Sequence, residues 1–139
     1  MAKVFWDTNL FIYLLEGGPL MTVVEAILNR MVDRGDRLYT STLTVGEVLV
    51  RPWQTGARAL EQQYLDWFRS PEITIIPFDL RTASKYAQIR RKTISPPDAI
   101  QLACAATAEV DLFLTNDDRL SKVTTPEIKF VASLARSPI

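Results

Sequence analysis

The constraint that dominates this sequence is an alternation of short apolar runs with longer stretches of helical spacing. Lys3–Trp6, Arg37–Thr40, Ile73–Ile76 and Leu112–Leu114 are the short runs, and Ile128–Val131 is a possible fifth. Helical stretches separate them. Asp7 is placed to cap a helix over Thr8–Leu15, which Gly17-Gly18-Pro19 breaks. Leu20–Arg34 carries Val23/Val24, Ile27/Leu28 and Met31 at helical spacing and stops at Gly35. Ala57–Phe68, Leu80–Lys92 and Asp98–Glu109 read as further helices, the last almost wholly apolar after its first turn. Leu43–Val50 fits a strand or a helix, and Pro52 limits it in either case. Strands parted by helices imply an α/β domain with a mostly parallel sheet. The 139 residues are expected to form one domain, 1–139, with a sizeable core.

Composition removes whole classes of chemistry. There is no histidine, so Ser-His triads, imidazole acid–base catalysis and imidazole-ligated zinc are excluded. The single cysteine, Cys104, cannot form an internal disulfide, and its apolar setting reads as packing. Any metal here would be a hard cation on carboxylates. The net charge of zero hides a layout: residues 1–50 are net acidic, 51–95 basic and 96–139 acidic. The apolar run Leu10–Leu15 falls far short of the ~20 residues that span a bilayer. Asp7, Asn9 and Glu16 interrupt any signal-peptide core, so a cytoplasmic location is expected.

Four carboxylates stand out. In parallel sheets, ligands sit beyond the carboxyl ends of strands. Asp7 follows the first strand and Asp117 the fourth, so two parallel neighbours would bring them to one edge. Asp98 opens a helix too apolar to lie at the surface. Glu47 sits among apolar residues, where an unpaired carboxylate is costly. Each has a plainer reading: a helix cap for Asp7, a favourable helix start for Asp98, a turn for Asp117, and a solvent-facing helical position for Glu47. If they converge, they repel: a like pair ~4 Å apart costs about 4 kcal/mol at an effective dielectric near 20. Divalent cations such as Mg²⁺ or Mn²⁺ relieve that repulsion and suit phosphodiester chemistry.

Four segments, in order, resemble the PIN-domain family, and within it the VapC-type toxin ribonucleases of toxin–antitoxin pairs. They are Val4-Phe-Trp-Asp-Thr-Asn-Leu-Phe-Ile12, Thr40-Ser-Thr-Leu-Thr-Val-Gly-Glu-Val-Leu49, Pro97-Asp-Ala-Ile-Gln-Leu-Ala-Cys-Ala105 and Phe113-Leu-Thr-Asn-Asp-Asp-Arg-Leu120. The resemblance implies a three-layer α/β/α sandwich and metal-dependent RNA cleavage. It implies acidic roles for Asp7, Glu47, Asp98 and Asp117, with the metal, Mg²⁺ or Mn²⁺, on Asp7, Asp98 and Asp117. It implies supporting roles for Thr8, Asn9, Ser41 and Thr115, with Asn9 orienting Asp7. The family spacing favours Asp117 over the adjacent Asp118. Implied partners are an RNA substrate, a cognate antitoxin and a second copy in a homodimer.

Two stripes leave alternatives. Arg81, Lys85 and Lys92 follow helical spacing, as a solvated face or as contacts to RNA phosphates. Tyr64, Trp67 and Phe68 form core or a partner surface. Two other functions compete with the nuclease. One is a haloacid-dehalogenase-like phosphatase with Asp7 as nucleophile, although its usual second Asp is Asn9 here. The other is a non-catalytic binding module of the same fold.

Overall fold

The computed structural model describes residues 1–139. Its centre is a five-stranded, all-parallel sheet: β1 (Lys3–Trp6), β2 (Arg37–Ser41), β3 (Ile73–Ile76), β4 (Leu112–Thr115) and β5 (Phe130–Ser133), in the order β3-β2-β1-β4-β5. The helices are α1 (Thr8–Glu16), α2 (Met21–Arg34), α3 (Thr42–Thr55), α4 (Arg58–Arg69), α5 (Leu80–Ile89) and α6 (Pro96–Thr107).

The sheet is buried on both faces, which is why its strands read as continuous apolar runs. Val4, Trp6, Leu38 and Leu114 pack on one face against Phe11, Ile27, Met31 and Tyr64 from α1, α2 and α4. Phe5, Tyr39 and Phe113 pack on the other against Ile89 of α5 and the Ala-rich face of α6. Phe5 and Phe113 stack with ring centroids 5.1 Å apart. The result is the expected three-layer α/β/α sandwich. Tyr64 and Phe68 are buried and Trp67 packs partly against them, so that stripe is core. No single helix is long and apolar enough to cross a membrane.

Three expectations about elements need correction. Leu43–Val50 lies within a 14-residue helix, and Pro52 does not end it. The proline ring is buried, and the helix continues one turn to Gly56, whose φ of 68° closes it in the left-handed conformation. Burial of that ring offsets the one backbone bond that proline cannot donate. Helix α5 ends at Ile89 rather than Lys92, because Arg90 turns extended and Arg91 bridges to Ile94. The fifth strand lies two residues later than expected, where Leu112–Thr115 supplies partners for Phe130–Ser133.

Candidate active site

Chain order places the site. From β1 the sheet grows through β2 to β3 on one side and through β4 to β5 on the other. The crevice between the carboxyl ends of β1 and β4 is therefore the switch point at which such sheets bind ligands. Asp7 follows β1 there. Its backbone N–H donates to Leu114 C=O at 3.0 Å, so the sheet ladder holds it against β4.

The Asp7 carboxylate is buried and has no cationic partner. Thr115 Oγ1 donates to its Oδ2 at 2.8 Å, and the Thr8 N–H donates to its Oδ1 at 2.9 Å. Burial pushes its pKa above the ordinary 3.8; the Thr115 and Thr8 bonds pull against that, and the charges of Asp98 and Glu47 add to the rise.

Glu47 sits on α3 because β2 ends at Ser41. The Ser41 hydroxyl accepts the Thr44 N–H at 3.2 Å and caps the helix. Glu47 is exposed, as its plainer reading required, yet Thr8 Oγ1 donates to its Oε1 at 2.6 Å. One residue, Thr8, thus serves both acids: its backbone holds Asp7 and its hydroxyl holds Glu47.

The proline-rich approach to Asp98 is a helix cap. Ser95 is the N-cap, Pro96 and Pro97 fill the first two helical positions, and the Asp98 N–H donates to Ser95 Oγ at 3.4 Å. Asp98 and Asp117 line one cleft of about 170 Å³, together with Lys92, Ser95 and Arg119. Asp117 follows β4 in a tight turn: its N–H donates to Thr115 Oγ1 at 3.1 Å, and its Oδ1 accepts the Arg119 N–H at 2.9 Å. Asp118 is exposed and lines a different cavity, with Lys122 and Arg136. Between the two neighbours, only Asp117 shares the cleft of Asp98.

The acids therefore share one edge, but no three of them stand within reach of a single ion. The donor set still suits a hard divalent cation, being carboxylate and hydroxyl oxygens without imidazole or thiolate. Mg²⁺ commonly binds through one or two carboxylates and keeps several waters. Asp7 is a buried, raised carboxyl that feels the charges of Asp98 and Glu47, and a cation would offset its charge.

Asn9 does not orient Asp7. It occupies the second position of α1, is exposed, and is absent from the partners of that carboxylate. The role falls to Thr8, Thr115 and a residue the sequence reading passed over, Gln101, whose Nε2 lies 3.4 Å from Asp7 Oδ1. Its only signal was a lone amide three residues after Asp98 in an otherwise apolar helix. The basic stripe also divides. Arg81 is exposed on α5, while Lys85 Nζ bonds Glu127 Oε1 at 2.5 Å. Lys92, beyond the helix, joins the acid cleft instead. Cys104 is fully buried, and burial pushes its thiol up to about 12, so it is inert packing.

Comparison with known proteins agrees with this fold. The chain resembles the structure of VapBC2 from Rickettsia felis bound to a promoter DNA fragment, with 16% identity, a TM-score of 0.74, and coverage of 94% of this chain and 98% of that one. It resembles a toxin–antitoxin complex from Klebsiella pneumoniae, with 21% identity, a TM-score of 0.65, and coverage of 90% and 94%. It resembles VapBC-5 from Mycobacterium tuberculosis, with 18% identity, a TM-score of 0.60, and coverage of 95% and 99%. At these identities the likeness is one of fold. No curated protein sequence matches the chain significantly. The sequence pattern of the PIN domain matches residues 4–126, which contain all four acids and both strands that flank the crevice, and on that match the chain belongs to the PIN domain family.

Proposed function

We propose that this chain is a divalent-metal-dependent endoribonuclease and the toxin half of a toxin–antitoxin pair. The observation that carries the reading is Asp7: a buried carboxylate without a cation, at the switch point of a parallel sheet, within the fields of Asp98 and Glu47. Family membership supports it, since PIN domains are nucleases as a class. The similar structures are toxin–antitoxin complexes, which supports an antitoxin partner.

Asp7, Asp98 and Asp117 would hold Mg²⁺ or Mn²⁺ through one or two carboxylates to each ion, with waters completing its shell. When bound, the cation supplies Lewis-acid stabilisation of charge building on a phosphoryl group and eases deprotonation of water. The chain's own groups do the rest. Thr115 and the Thr8 N–H fix the Asp7 oxygens. Glu47, with Oε1 held by Thr8, would take a proton from an attacking water. With no histidine in the chain, proton transfer falls to carboxylates and water. Lys92 and Arg119, at the rim of the cleft that holds Asp98 and Asp117, are placed to meet RNA phosphates. A homodimer in the cytoplasm completes the proposal.

The test is incubation of the purified chain with total cellular RNA in Mn²⁺ or in EDTA. Discrete cleavage products in Mn²⁺, lost in EDTA and in Asp7→Asn, are expected. Intact RNA under every condition, or cleavage unchanged by EDTA, would overturn the reading.

A further inference from the structure

Gln101 lies one turn into α6 beyond Asp98 and is 1% exposed. A buried amide costs free energy unless its polar atoms are satisfied. Nothing in the packing of α6, whose neighbouring positions are Leu102, Ala103 and Cys104, calls for polarity there. Yet both ends of the amide are used. Oε1 accepts from the Ser41 hydroxyl. Nε2 faces Thr44 Oγ1 at 2.7 Å, Thr8 Oγ1 at 3.1 Å and Asp7 Oδ1 at 3.4 Å. One side chain thereby ties together the end of β1, the end of β2, the first turn of α3 and the first turns of α6.

The directions of these bonds matter. An amide nitrogen donates and cannot accept, so Thr8 Oγ1 receives a hydrogen from Gln101. Its own hydrogen is then free for Glu47 Oε1, 2.6 Å away. Asp7 Oδ1, which only accepts, lies on the Nε2 side, and that sets the amide in this sense rather than flipped, with the Ser41 hydroxyl donating to Oε1. We infer that Gln101 is a positioning residue of the site: its two amide hydrogens go to the nearer Thr44 and Thr8 hydroxyls, it turns the positive end of the amide toward Asp7 and, by setting the Thr8 hydroxyl, it holds Glu47 in register with Asp7. The inference rests on the metal-nuclease reading above.

Gln101→Met keeps the length and volume of the side chain and removes all of these bonds. Mn²⁺ alone, titrated calorimetrically into the full chain stripped with EDTA, reads the effect without any substrate. Outer partners of metal ligands are commonly worth 10–100-fold in affinity, so Gln101→Met should weaken Mn²⁺ binding about tenfold at a temperature where the variant is fully folded. A filler of core space would alter the melting temperature and leave that affinity in place. Wild-type Mn²⁺ affinity in folded Gln101→Met overturns the proposal. If that variant does not fold, Gln101→Asn takes its place: its amide is too short to reach Ser41 and Thr8 together, and the same loss or its absence decides. A wild-type chain that takes up no Mn²⁺ overturns the metal reading itself, and this inference with it; uptake by wild type with unchanged affinity in the variant overturns this inference alone.

Discussion

The hydroxyl of Thr115 donates to Asp7 Oδ2 at 2.8 Å, joining the ends of the two strands that flank the crevice. The bond lowers the proton affinity of Asp7, but burial outweighs it, and the carboxyl stays above its ordinary value. A carboxyl raised by folding contributes stability that is present below its unfolded value of 3.8 and is lost as pH rises through its folded value. Ionised Asp7 is therefore a cost to the fold at neutral pH. Asp7→Asn should raise the melting temperature of the EDTA-treated chain at pH 7 by about 4 °C, or ~1 kcal/mol. The advantage should vanish below pH 3.8. Melting curves of both proteins from pH 3 to 8 check this, and a lower melting temperature for Asp7→Asn at pH 7 would refute it.

Asp98 tests convergence from the other side. Asp98→Asn removes one charge that pushes the Asp7 carboxyl up. It also gives up a favourable helix-start charge worth ~0.3–1 kcal/mol. Cleavage should be abolished while the metal-stripped stability stays level or rises by up to ~1 kcal/mol. Full cleavage with a slightly lower melting temperature would return Asp98 to the role of a favourable charge at a helix start.

Metal should stabilise the fold in proportion to occupancy. A ligand that binds only the native chain contributes about 2.7 kcal/mol at a concentration 100 times its dissociation constant. Millimolar Mn²⁺ should raise the melting temperature of the wild type, and the rise should disappear in Asp7→Asn. A flat melt across the titration counts against the site.

The basic residues should separate in binding assays. Lys85 is engaged with Glu127, whose carboxyl it holds down to about 2. Lys85→Ala should leave the salt dependence of RNA binding unchanged. Lys92→Ala should reduce the slope by about one unit, and Arg119→Ala by less, because Arg119 Nε already faces Asp117 Oδ1 at 3.7 Å. Loss of the Lys85 partner should instead appear in acid: the stability Glu127 contributes is present above pH 4.5 and lost as pH falls toward about 2, and Lys85→Ala should flatten that part of the stability profile.

The strands were legible because a sheet buried on both faces writes itself as bare apolar runs, and Asp7 and Asp117 drew attention because each follows such a run, although a helix cap or a turn accounts for either one alone. Helix α3 was ambiguous for a physical reason. Val45, Val48 and Val50 favour strands by propensity, and Pro52 argues against a helix, but the caps at Ser41 and Gly56 and burial of the proline decide otherwise. Local spacing also failed where tertiary contacts end an element: the stripe over Arg81, Lys85 and Lys92 assumed a helix that stops at Ile89. Gln101 escaped notice because only the folded chain reveals that Ser41, Thr44 and Thr8 meet at its amide.

The strand order has a consequence for synthesis. Asp7 leaves the ribosome more than a hundred residues ahead of its neighbour in the sheet, β4, which begins at residue 112. A nascent chain that has not yet delivered Thr115 has no crevice, no hydroxyl on Asp7 Oδ2 and no Asp117. A chain that cuts RNA in this way would gain its crevice only once β4 had been delivered, more than a hundred residues after Asp7.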